Sequence, residues 1–341
     1  MANLAGGEDF EDLSKYPNLT PEDFHTNLSN VGARPCSINY SDGNRDSEMN
    51  CWLGGLPDLK FTDNVKTIQK AHLRLLLDLG VDGFRFDAAK HMPTNVLNEY
   101  INYINQQSRG NAWNYLEVIN DDDTIGEDYS WVAAVSDFVL YNDMKEIFTQ
   151  DGDLRSLPAA ALDDSRSITF GNNHDTMRAL NVAALNPYSD VTDSYLATAY
   201  VLARESGTPL IFSADHAGAP FIKTGVKFRQ IIKQREKAGA YTRENILRAI
   251  DDPTILLMER GTEGFFIGNK GIGTFDIPTL DLTLSTLEGC YVELRNNFSV
   301  AIEQRDGKKY VTRWGTWERG GIEIRGRDAL YFVRASFDQC Q

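Results

Sequence analysis

The sequence lacks any run of about 18 consecutive apolar residues, the length that a membrane-spanning helix needs. Lys, Arg, Asp or Gly interrupts each of its most apolar stretches. The sequence is also poor in positive charge, because 34 basic residues stand against 49 acidic ones and the formal net charge is −15. That charge opposes non-specific binding to nucleic acid or to an anionic membrane surface. The composition therefore predicts no membrane span and a neutral ligand, such as a polyol.

Cysteine is scarce as well. The chain has four cysteines, with no Cys-x-x-Cys pair and no His at zinc-finger spacing, so no zinc site is predicted. Cys36 lies near Cys51 and Cys290 near Cys340, which permits two local disulfides and would indicate an oxidising compartment. Four reduced thiols are the alternative. The opening segment MANLAGGEDFEDLSKYPN lacks the basic end, apolar middle and cleavage site of a secretory signal, so it does not itself indicate export.

The composition changes along the chain. Residues 1–60 are rich in Asn, Asp, Ser, Gly and Pro, which predicts an irregular region without a core of its own. Residues 61–242 alternate helical and strand patterns, which indicates parallel βα units. Residues 243–341 hold short β-prone runs bounded by Gly, Asn and Asp, a pattern typical of an antiparallel β-sandwich. The sequence thus predicts three regions with these boundaries.

The middle region carries clear periodicities. Apolar residues at helical spacing run from Asn64 to Leu79 and stop at Gly80, and Thr94 is placed to cap a second helix. Two more helices are expected, at about 193–204 and 226–237. Strands are expected between these helices, at about 82–87, 114–119, 135–140, 167–171 and 208–213.

The segment GFRFDAAKH brings two charged side chains together. Because side chains alternate along a strand, Arg85 and Asp87 point to one face and Phe84 and Phe86 to the other. Taken alone, the two charges are most simply a structural ion pair on a buried strand.

Three carboxylates, those of Asp87, Glu117 and Asp175, stand at or just past the carboxyl ends of predicted strands, where barrel enzymes gather functional groups. Retaining cleavage of a glycosidic bond needs one carboxylate as nucleophile and a second carboxyl as acid and later base, and a third charge can stabilise the transition state. A neighbouring Arg would keep Asp87 ionised, whereas desolvation and a lack of positive neighbours would keep Glu117 protonated. The plain alternatives are a loop role for His174 and a solvated acidic loop at 121–123.

Taken together, GFRFDAAKH, a Glu that ends the next strand and FGNNHD two strands later resemble the α-amylase family of glycoside hydrolases in residues and in order. The segments NCWLGGLPDL, GTPLIFSAD and RDALYFVR extend the resemblance. It implies an α/β fold, a (β/α)8 barrel of the α-amylase type, with residues 1–60 as the remnant of an inserted irregular domain and a C-terminal antiparallel β-sandwich. Nothing matches the family's first three strands or the motif that closes the third. Strands four to eight of an N-terminally truncated barrel are therefore expected, with open edges.

The resemblance implies a role for each matched residue. Asp87 would be the nucleophile, Glu117 the general acid/base, and Asp175 the carboxylate that fixes the sugar and stabilises the transition state. These groups would cleave α-1,4-glucosidic bonds of starch-like or glycogen-like glucans by double displacement. Other side chains would bind the sugar or orient the nucleophile: Arg85, Lys90, His91, His174 and, less specifically, Tyr40.

The resemblance also implies a structural Ca²⁺, an ion that takes 6–8 oxygen ligands. Its implied ligands are the side chain of Asp58 and the backbone carbonyls of Met49 and His91, with Asp58 as a mere turn residue as the alternative. Some relatives hold a chloride, but Leu210 stands near the place of its basic ligand, so no chloride is predicted. A complete enzyme of this kind is expected to be a secreted monomer that binds an α-glucan.

Other functions stay open. A non-catalytic carbohydrate-binding or partner-binding protein with the same scaffold would be expected to lose the three carboxylates, and all three are present. An intracellular α-glucosidase or glucan transferase would differ in loop contacts. A catalytically incomplete fragment, from a shortened gene or as one of two pairing chains, would keep the residues and hydrolyse starch little or not at all.

Overall fold

The computed structural model describes residues 17–25, 38–41, 43, 45–53, 56–122, 124–159, 161–163, 165–177, 188, 190–247, 250–277, 284–312 and 321–339. The chain divides into two compact units. The first comprises Met1–Val139 and Leu162–Ile168, and the second comprises Leu140–Ala161 and Thr169–Gln341. These bounds differ from the three predicted regions, whose boundaries at residues 60 and 242 stay a prediction.

The first unit is built from βα repeats. Its helices are α1 (Asp46–Asn50), α2 (Asp63–Asp78) and α3 (Thr94–Ser108), and α4 (Phe138–Ile147) begins in it. Its strands are β1 (Gly83–Phe86), β2 (Trp113–Leu116), β3 (Ala134–Ser136) and β4 (Ser167–Thr169), which ends in the second unit. They lie parallel in chain order, as predicted.

Local sequence explains the helix bounds. The hydroxyl of Thr62 caps α2 by accepting the N–H of Val65 at 3.2 Å, and Gly80 follows the helix at φ +91°. Thr94 is the first residue of α3 and not its cap, because Pro93 occupies the N-cap position and fixes the entry. The core of this unit packs these helices on β1–β3 through fully buried side chains: Phe86, Leu97, Tyr100, Leu116 and Val135.

The glycine at the start of β1 permits close strand pairing. Gly83 is registered opposite Trp113, and a Cβ at Gly83 would overlap the Trp113 backbone. No other residue type leaves room for this approach of β2 to β1. The pairing sets the register that aligns Arg85 with Tyr115 and Phe86 with Leu116.

The second unit holds the remaining helices, strand β5, which belongs to the same sheet as β1–β4, and the antiparallel strands β6–β14. The helices are α5 (Val191–Ala203), α6 (Ser213–Gly218) and α7 (Pro220–Lys237). The strands are β5 (Thr208–Pro209), β6 (Glu244–Ile246), β7 (Ile255–Arg260), β8 (Gly264–Asn269), β9 (Phe275–Ile277), β10 (Gly289–Glu293), β11 (Ser299–Arg305), β12 (Lys308–Thr312), β13 (Ile322–Ile324) and β14 (Asp328–Arg334).

Two antiparallel sheets form the C-terminal part of this unit, which confirms the predicted β-rich ending. The larger has the order β12-β11-β10-β14-β8-β7-β6, and the smaller pairs β13 with β9. A core of alternating buried residues includes Phe265, Tyr291, Ile302 and Phe332 of the larger sheet and Ile324 of the smaller.

Helices α5 and α7 pack on the larger sheet through Tyr331. Its hydroxyl donates to the carbonyl of Ala199 at 2.9 Å, and its ring lies 5.3 Å from that of Phe228. A Cβ at Gly225 would collide with this tyrosine. One glycine on α7 therefore permits the helix to approach the sheet closely.

Several predicted elements differ from the structure. The apolar run that follows β3 is the start of α4 and not a continuation of the strand, because a short apolar run has no periodicity that separates strand from helix. One of the β-prone runs of the C-terminal region, LTLSTL at residues 282–287, forms no strand at 284–287, and its first two residues lie outside the described range. Within the part of the chain that the structure describes, no helix has the length and apolarity to cross a membrane.

Candidate active site

Arg85 joins two carboxylates at the ends of β1 and β2. Its Nη1 donates to Oδ1 of Asp87 and its Nη2 donates to Oε1 of Glu117. The planar fork of a guanidinium suits this double contact, whereas an ammonium would serve as a single point charge. Burial lowers the pKa of Arg85, but attraction to Glu117 and then to Asp87 outweighs burial and raises its pKa overall.

The two carboxylates differ in exposure. The side chain of Asp87 is 50% exposed, whereas that of Glu117 is 7% exposed. The Ala88 N–H donates to Oε2 of Glu117 at 3.1 Å, so both oxygens of Glu117 accept hydrogen bonds. The expectation that Glu117 lacks positive neighbours is wrong, because the register of β1 and β2 carries Arg85 to it.

A second polar group surrounds Lys90, whose residue is 8% exposed. Its Nζ lies 2.5 Å from Oδ2 of Asp121, 3.2 Å from the carbonyl of Ile119, and 4.2 Å from the ring centroid of Tyr40. The ammonium thus lies over one face of the Tyr40 ring as a cation–π contact. Asp121 does not belong to a solvated loop as expected, because its side chain is 13% exposed and ion-paired; Asp123 lies outside the described residues.

His91 is buried beside this group. Its Nδ1 lies 2.8 Å from the carbonyl of Glu48, its ring meets that of Tyr40 edge-on at 6.0 Å, and the residue is 3% exposed. Burial lowers the pKa of His91 to about 4, so the imidazole is neutral near pH 7. The hydroxyl of Thr124 donates to the buried carboxyl of Glu48 at 2.8 Å, and burial raises the pKa of Glu48.

The residues expected to hold calcium do not fit a calcium cage in the described chain. Oδ2 of Asp58 lies 2.5 Å from Nδ1 of His25, and the Asp58 side chain is 2% exposed. A buried carboxylate committed to an imidazole has given up an oxygen that a cation would need. No three His, Cys, Asp or Glu side chains gather as metal ligands anywhere in the described ranges. The pairing with His25 thus counts against Asp58 as a Ca²⁺ ligand, and the roles of the Met49 and His91 carbonyls stay a prediction.

The segment FGNNHD forms a turn in the second unit. Oδ1 of Asn173 accepts the N–H groups of Asp175 and Thr176, both at 2.9 Å, which fixes the turn from within. Nε2 of His174 lies 3.3 Å from Oδ2 of Asp175. The His174 side chain is 48% exposed and that of Asp175 is 21% exposed, so both groups are open to a ligand.

Sequence reasoning missed the residues that anchor this turn. The Thr176 hydroxyl donates to Oδ1 of Asn172 at 2.6 Å, and Nδ2 of Asn172 donates to the buried Asp215 at 3.3 Å. Thr198 on α5 donates to the other Asp215 oxygen at 2.7 Å. Burial raises the pKa of Asp215, and hydrogen bonds from Thr198 and Asn172 oppose this. The only signal in the sequence was the Asp of GTPLIFSAD, which alternation alone does not connect to Asn172.

The cysteines are consistent with an oxidised state. Neither described cysteine, Cys51 or Cys290, is a free thiol. The expected partners, Cys36 and Cys340, lie outside the described residues, so the pairing stays a prediction.

The sites predicted from sequence thus fall into groups. In the first unit, Arg85, Asp87 and Glu117 lie in direct contact, and Lys90, His91 and Tyr40 form a second cluster. In the second unit, His174 and Asp175 lie side by side. An exposed carboxylate beside a buried carboxyl, both held by one guanidinium, is suited to acid–base and nucleophilic chemistry. The roles assigned to these residues stay predictions.

Comparisons with known proteins find similarity to α-amylases. The chain is 27% identical to an α-amylase of Thermomonospora curvata over 272 residues, which cover 73% of this chain and 44% of that protein. It is 33% identical to an α-amylase of Phaedon cochleariae over 207 residues, which cover 56% of this chain and 41% of that protein. The chain thus spans less than half the length of these curated relatives. No protein-family model matches it.

The fold has close counterparts among solved structures. A mutant of α-amylase I from Eisenia fetida, in complex with maltohexaose, matches with a TM-score of 0.71 at 18% sequence identity. The match covers 93% of this chain and 74% of the other. At this identity the likeness shows the fold, and it confirms the predicted α/β architecture with a parallel sheet followed by antiparallel C-terminal sheets.

Proposed function

We propose that this chain, which is similar in sequence and fold to α-amylases, is a retaining glycosidase that cleaves α-1,4-glucosidic bonds of starch-like or glycogen-like glucans. The observation that carries the proposal is the Arg85 guanidinium between Asp87 and Glu117. Double displacement needs two neighbouring carboxyl groups in different protonation states. Asp87 and Glu117 share this cation but differ in exposure, 50% against 7%, which is the difference in surroundings that two distinct roles require.

In the proposed mechanism Asp87 attacks the anomeric carbon and Glu117 protonates the leaving oxygen. Asp87 is the more exposed of the two, as a group that attacks the substrate must be, and its Oδ1 accepts a hydrogen bond from Arg85. Glu117 accepts hydrogen bonds from Arg85 and Ala88 in the substrate-free chain, which favours its carboxylate form. Its role as an acid therefore requires that the entering sugar separate Arg85 from Glu117 and exclude water from the buried carboxyl.

The remaining site residues are proposed to hold the glucan. Asp175 and His174 bind the sugar at the cleavage point through groups that are open to a ligand. Tyr40 stacks on a glucose ring with the face that Lys90 does not cover. Lys90 and His91, both buried, fix this tyrosine on the side of the glucose units that depart as the leaving group. The fold match to an α-amylase in complex with maltohexaose supports an α-glucan as ligand.

A secreted location is part of the proposal. It is supported by the absence of free thiols among the described cysteines, which suits an oxidising compartment. We expect the links Cys36–Cys51 and Cys290–Cys340, and peptide mapping under non-reducing conditions would detect them. Free thiols at all four positions would contradict both the links and the proposed location.

A non-catalytic α-glucan-binding protein is the second candidate. The observation that favours it is the double hydrogen bonding of Glu117, which opposes protonation of the required acid. Such a protein would bind maltohexaose in a calorimeter and release no shorter product. The two functions therefore differ in one readout, the appearance of new reducing ends.

The test of the proposed function is the configuration of the first product. Proton NMR of maltohexaose during early hydrolysis should show the α-anomer before mutarotation, as double displacement requires. Glu117→Gln should release almost no product, whereas Asp78→Asn, which changes an exposed carboxylate paired with Arg74, should behave like the unaltered chain. A β-anomer as first product would reject the mechanism.

A further inference from the structure

A large cleft lies within the second unit and contains none of the residues assigned above to the active site. Its volume is about 720 Å³, within the range of roughly 300–1,000 Å³ that is usual for small-molecule sites. Residues from the start of α5, the junction of α6 and α7, the turn between β10 and β11, and the β13–β14 connection line it. We propose that this cleft binds a segment of α-glucan without cleaving it.

Three aromatic residues line the cleft: Tyr195 and Phe298, which are half-buried, and Phe221, which is buried. Packing fixes two of them. The Tyr195 ring lies directly against Gly218, where an added Cβ would overlap it, and the Phe298 ring meets that of Phe332 edge-on at 5.6 Å. Rigid aromatic faces match the apolar faces of pyranose rings at a small cost in conformational entropy.

The charges of the cleft are matched within the protein. Arg295 donates to both oxygens of Asp328, at 2.8 and 2.6 Å, and Arg327 pairs with Asp193 at 2.6 Å. The remaining two charged lining residues, Glu323 and Arg325, have opposite signs and are exposed. An ionic ligand would find no excess of one charge here, whereas a neutral polyhydroxy ligand would find donors and acceptors beside apolar walls.

The polar rim is also held in place. Oε2 of Glu293 accepts the N–H groups of Arg295 at 3.1 Å and Asn296 at 2.5 Å, which fixes the turn between β10 and β11. The Asn296 side chain is exposed at this rim. Because both oxygens of Asp328 accept hydrogen bonds from Arg295, the described lining offers no pair of accessible carboxylates. The cleft therefore suits binding and not hydrolysis.

The choice of α-glucan as the occupant rests on the proposed function, since a neutral sugar polymer is the substrate assigned to the other site. A second contact would hold a polymeric substrate near the enzyme by raising its effective concentration. The expected consequence is stronger adsorption to insoluble starch, with no change in the hydrolysis of a short oligosaccharide.

The experiment is adsorption of the 341-residue chain to granular starch, compared among matched variants. Tyr195→Ala and Phe298→Ala should each weaken adsorption about tenfold, the effect of truncating an aromatic contact of about 1.4 kcal/mol. Tyr195→Phe keeps the ring and should adsorb like the unaltered chain. Tyr241→Ala removes a 55% exposed tyrosine of the same unit that does not line the cleft, and should also have no effect.

Hydrolysis of maltohexaose by the same variants separates this inference from the proposed function. If Tyr195→Ala and Phe298→Ala weaken adsorption and no chain hydrolyses maltohexaose, glucan binding in the cleft is supported and the proposed function is contradicted. If maltohexaose is hydrolysed and both Tyr195→Ala and Phe298→Ala adsorb like the unaltered chain, glucan binding in the cleft is overturned and the proposed function stands. Thermal unfolding of each variant must match the unaltered chain. If Phe298→Ala melts early, the comparison of Tyr195→Ala with Tyr195→Phe decides the matter, and equal adsorption of these two contradicts the inference.

Discussion

Arg85 holds Glu117 across two neighbouring strands, with Nη2 as the donor and Oε1 as the acceptor, while its other terminal nitrogen holds Asp87. The contact arises because Arg85 is registered with Tyr115 on β2, two residues before Glu117. The Glu117 N–H donates to the carbonyl of Phe86 at 2.9 Å, so the backbone extends the pairing past the strand ends. Strand register, and not loop conformation, brings the two carboxyl groups together.

Loss of either carboxylate is expected to abolish turnover with little effect on folding. Asp87→Asn and Glu117→Gln should each lower the turnover of maltohexaose by about 10³-fold or more, because in the proposed mechanism these groups act on the transition state. Thermal unfolding should shift little, since both replacements preserve side-chain size. Asp78→Asn is the matched control, with a carboxylate that is 53% exposed. Turnover within tenfold of the unaltered chain in either variant would argue against the assignment.

Arg85→Lys tests whether one guanidinium must contact both carboxylates. A lysine keeps the positive charge but lacks the fork that donates to two carboxylates in one plane. We expect kcat to fall at least about tenfold, a loss of roughly 1.4 kcal/mol in transition-state stabilisation. Arg74→Lys is the control, because Arg74 is exposed, pairs with Asp78 and hydrogen-bonds to Gln107, and contacts neither Asp87 nor Glu117. Equal kcat for Arg85→Lys and the unaltered chain would show that charge alone suffices.

Calcium is expected to have no effect on the stability of this chain. The carboxylate of Asp58, an expected calcium ligand, is paired with His25. If calcium did bind, a concentration of 100 times its dissociation constant would add about 2.7 kcal/mol to the free energy of unfolding. Melting curves in millimolar calcium and in excess chelator should therefore agree within about 1 °C. Sodium chloride at equal ionic strength is the control. A calcium-dependent rise of several degrees would show that a site forms from groups outside those described.

The Asp58 carboxyl should make stability depend on pH. Burial raises its pKa from 3.8 to about 6, and contact with His25 opposes this rise. Because the folded chain holds this proton more tightly than the unfolded chain, the contribution is present below pH 3.8 and is lost as pH rises through about 6. Relative to Asp58→Asn, the unaltered chain should lose about 2 kcal/mol between pH 4 and 7. Urea unfolding at several pH values measures this, and a constant difference between the two chains would contradict the assignment.

Arg260 is expected to be a major determinant of stability. Its side chain is fully buried and donates to the carbonyls of Thr242, Ala203 and Arg204, which satisfies the carboxyl end of α5. Arg260→Met should lower the free energy of unfolding by about 3 kcal/mol, because buried acceptors lose their donor. Arg243→Met, at a side chain that is 72% exposed, should change it by less than about 0.5 kcal/mol. Equal urea midpoints for the two variants would show that the buried contacts contribute little.

Periodic segments were predictable from the sequence, and contacts between distant segments were not. Helix α2, strand β1 and the antiparallel strands follow patterns that local burial imposes on residues close in sequence. The pairing of Asp58 with His25, 33 residues away, has no such pattern, and neither has the contact of Thr124 with Glu48 across 76 residues. Such contacts depend on how loops cross over the sheet, which no short window of sequence records.

The candidate site shows the same division. Asp87 and Glu117 were selected by their places at strand ends together with the family resemblance, and their catalytic roles stay a prediction. The expected isolation of Glu117 from positive charge was wrong because it ignored strand register. The turn at Asn173 was recognisable as a motif, but its anchor Asp215 was not. Motifs thus identify chemical groups, and packing between elements decides which groups meet.

The most direct test of the account is to trap the glycosyl–enzyme intermediate. A fluorinated α-glucosyl fluoride should form an ester with the nucleophile, and the ring fluorine should make hydrolysis of this ester slow. Mass spectrometry of proteolytic peptides should place the added sugar on Asp87, within GFRFDAAKH. The Glu117→Gln chain should accumulate the same ester, because hydrolysis of the intermediate needs the general base. A label on Glu117 or Asp175, or no label in a correctly folded chain, would contradict double displacement at Asp87.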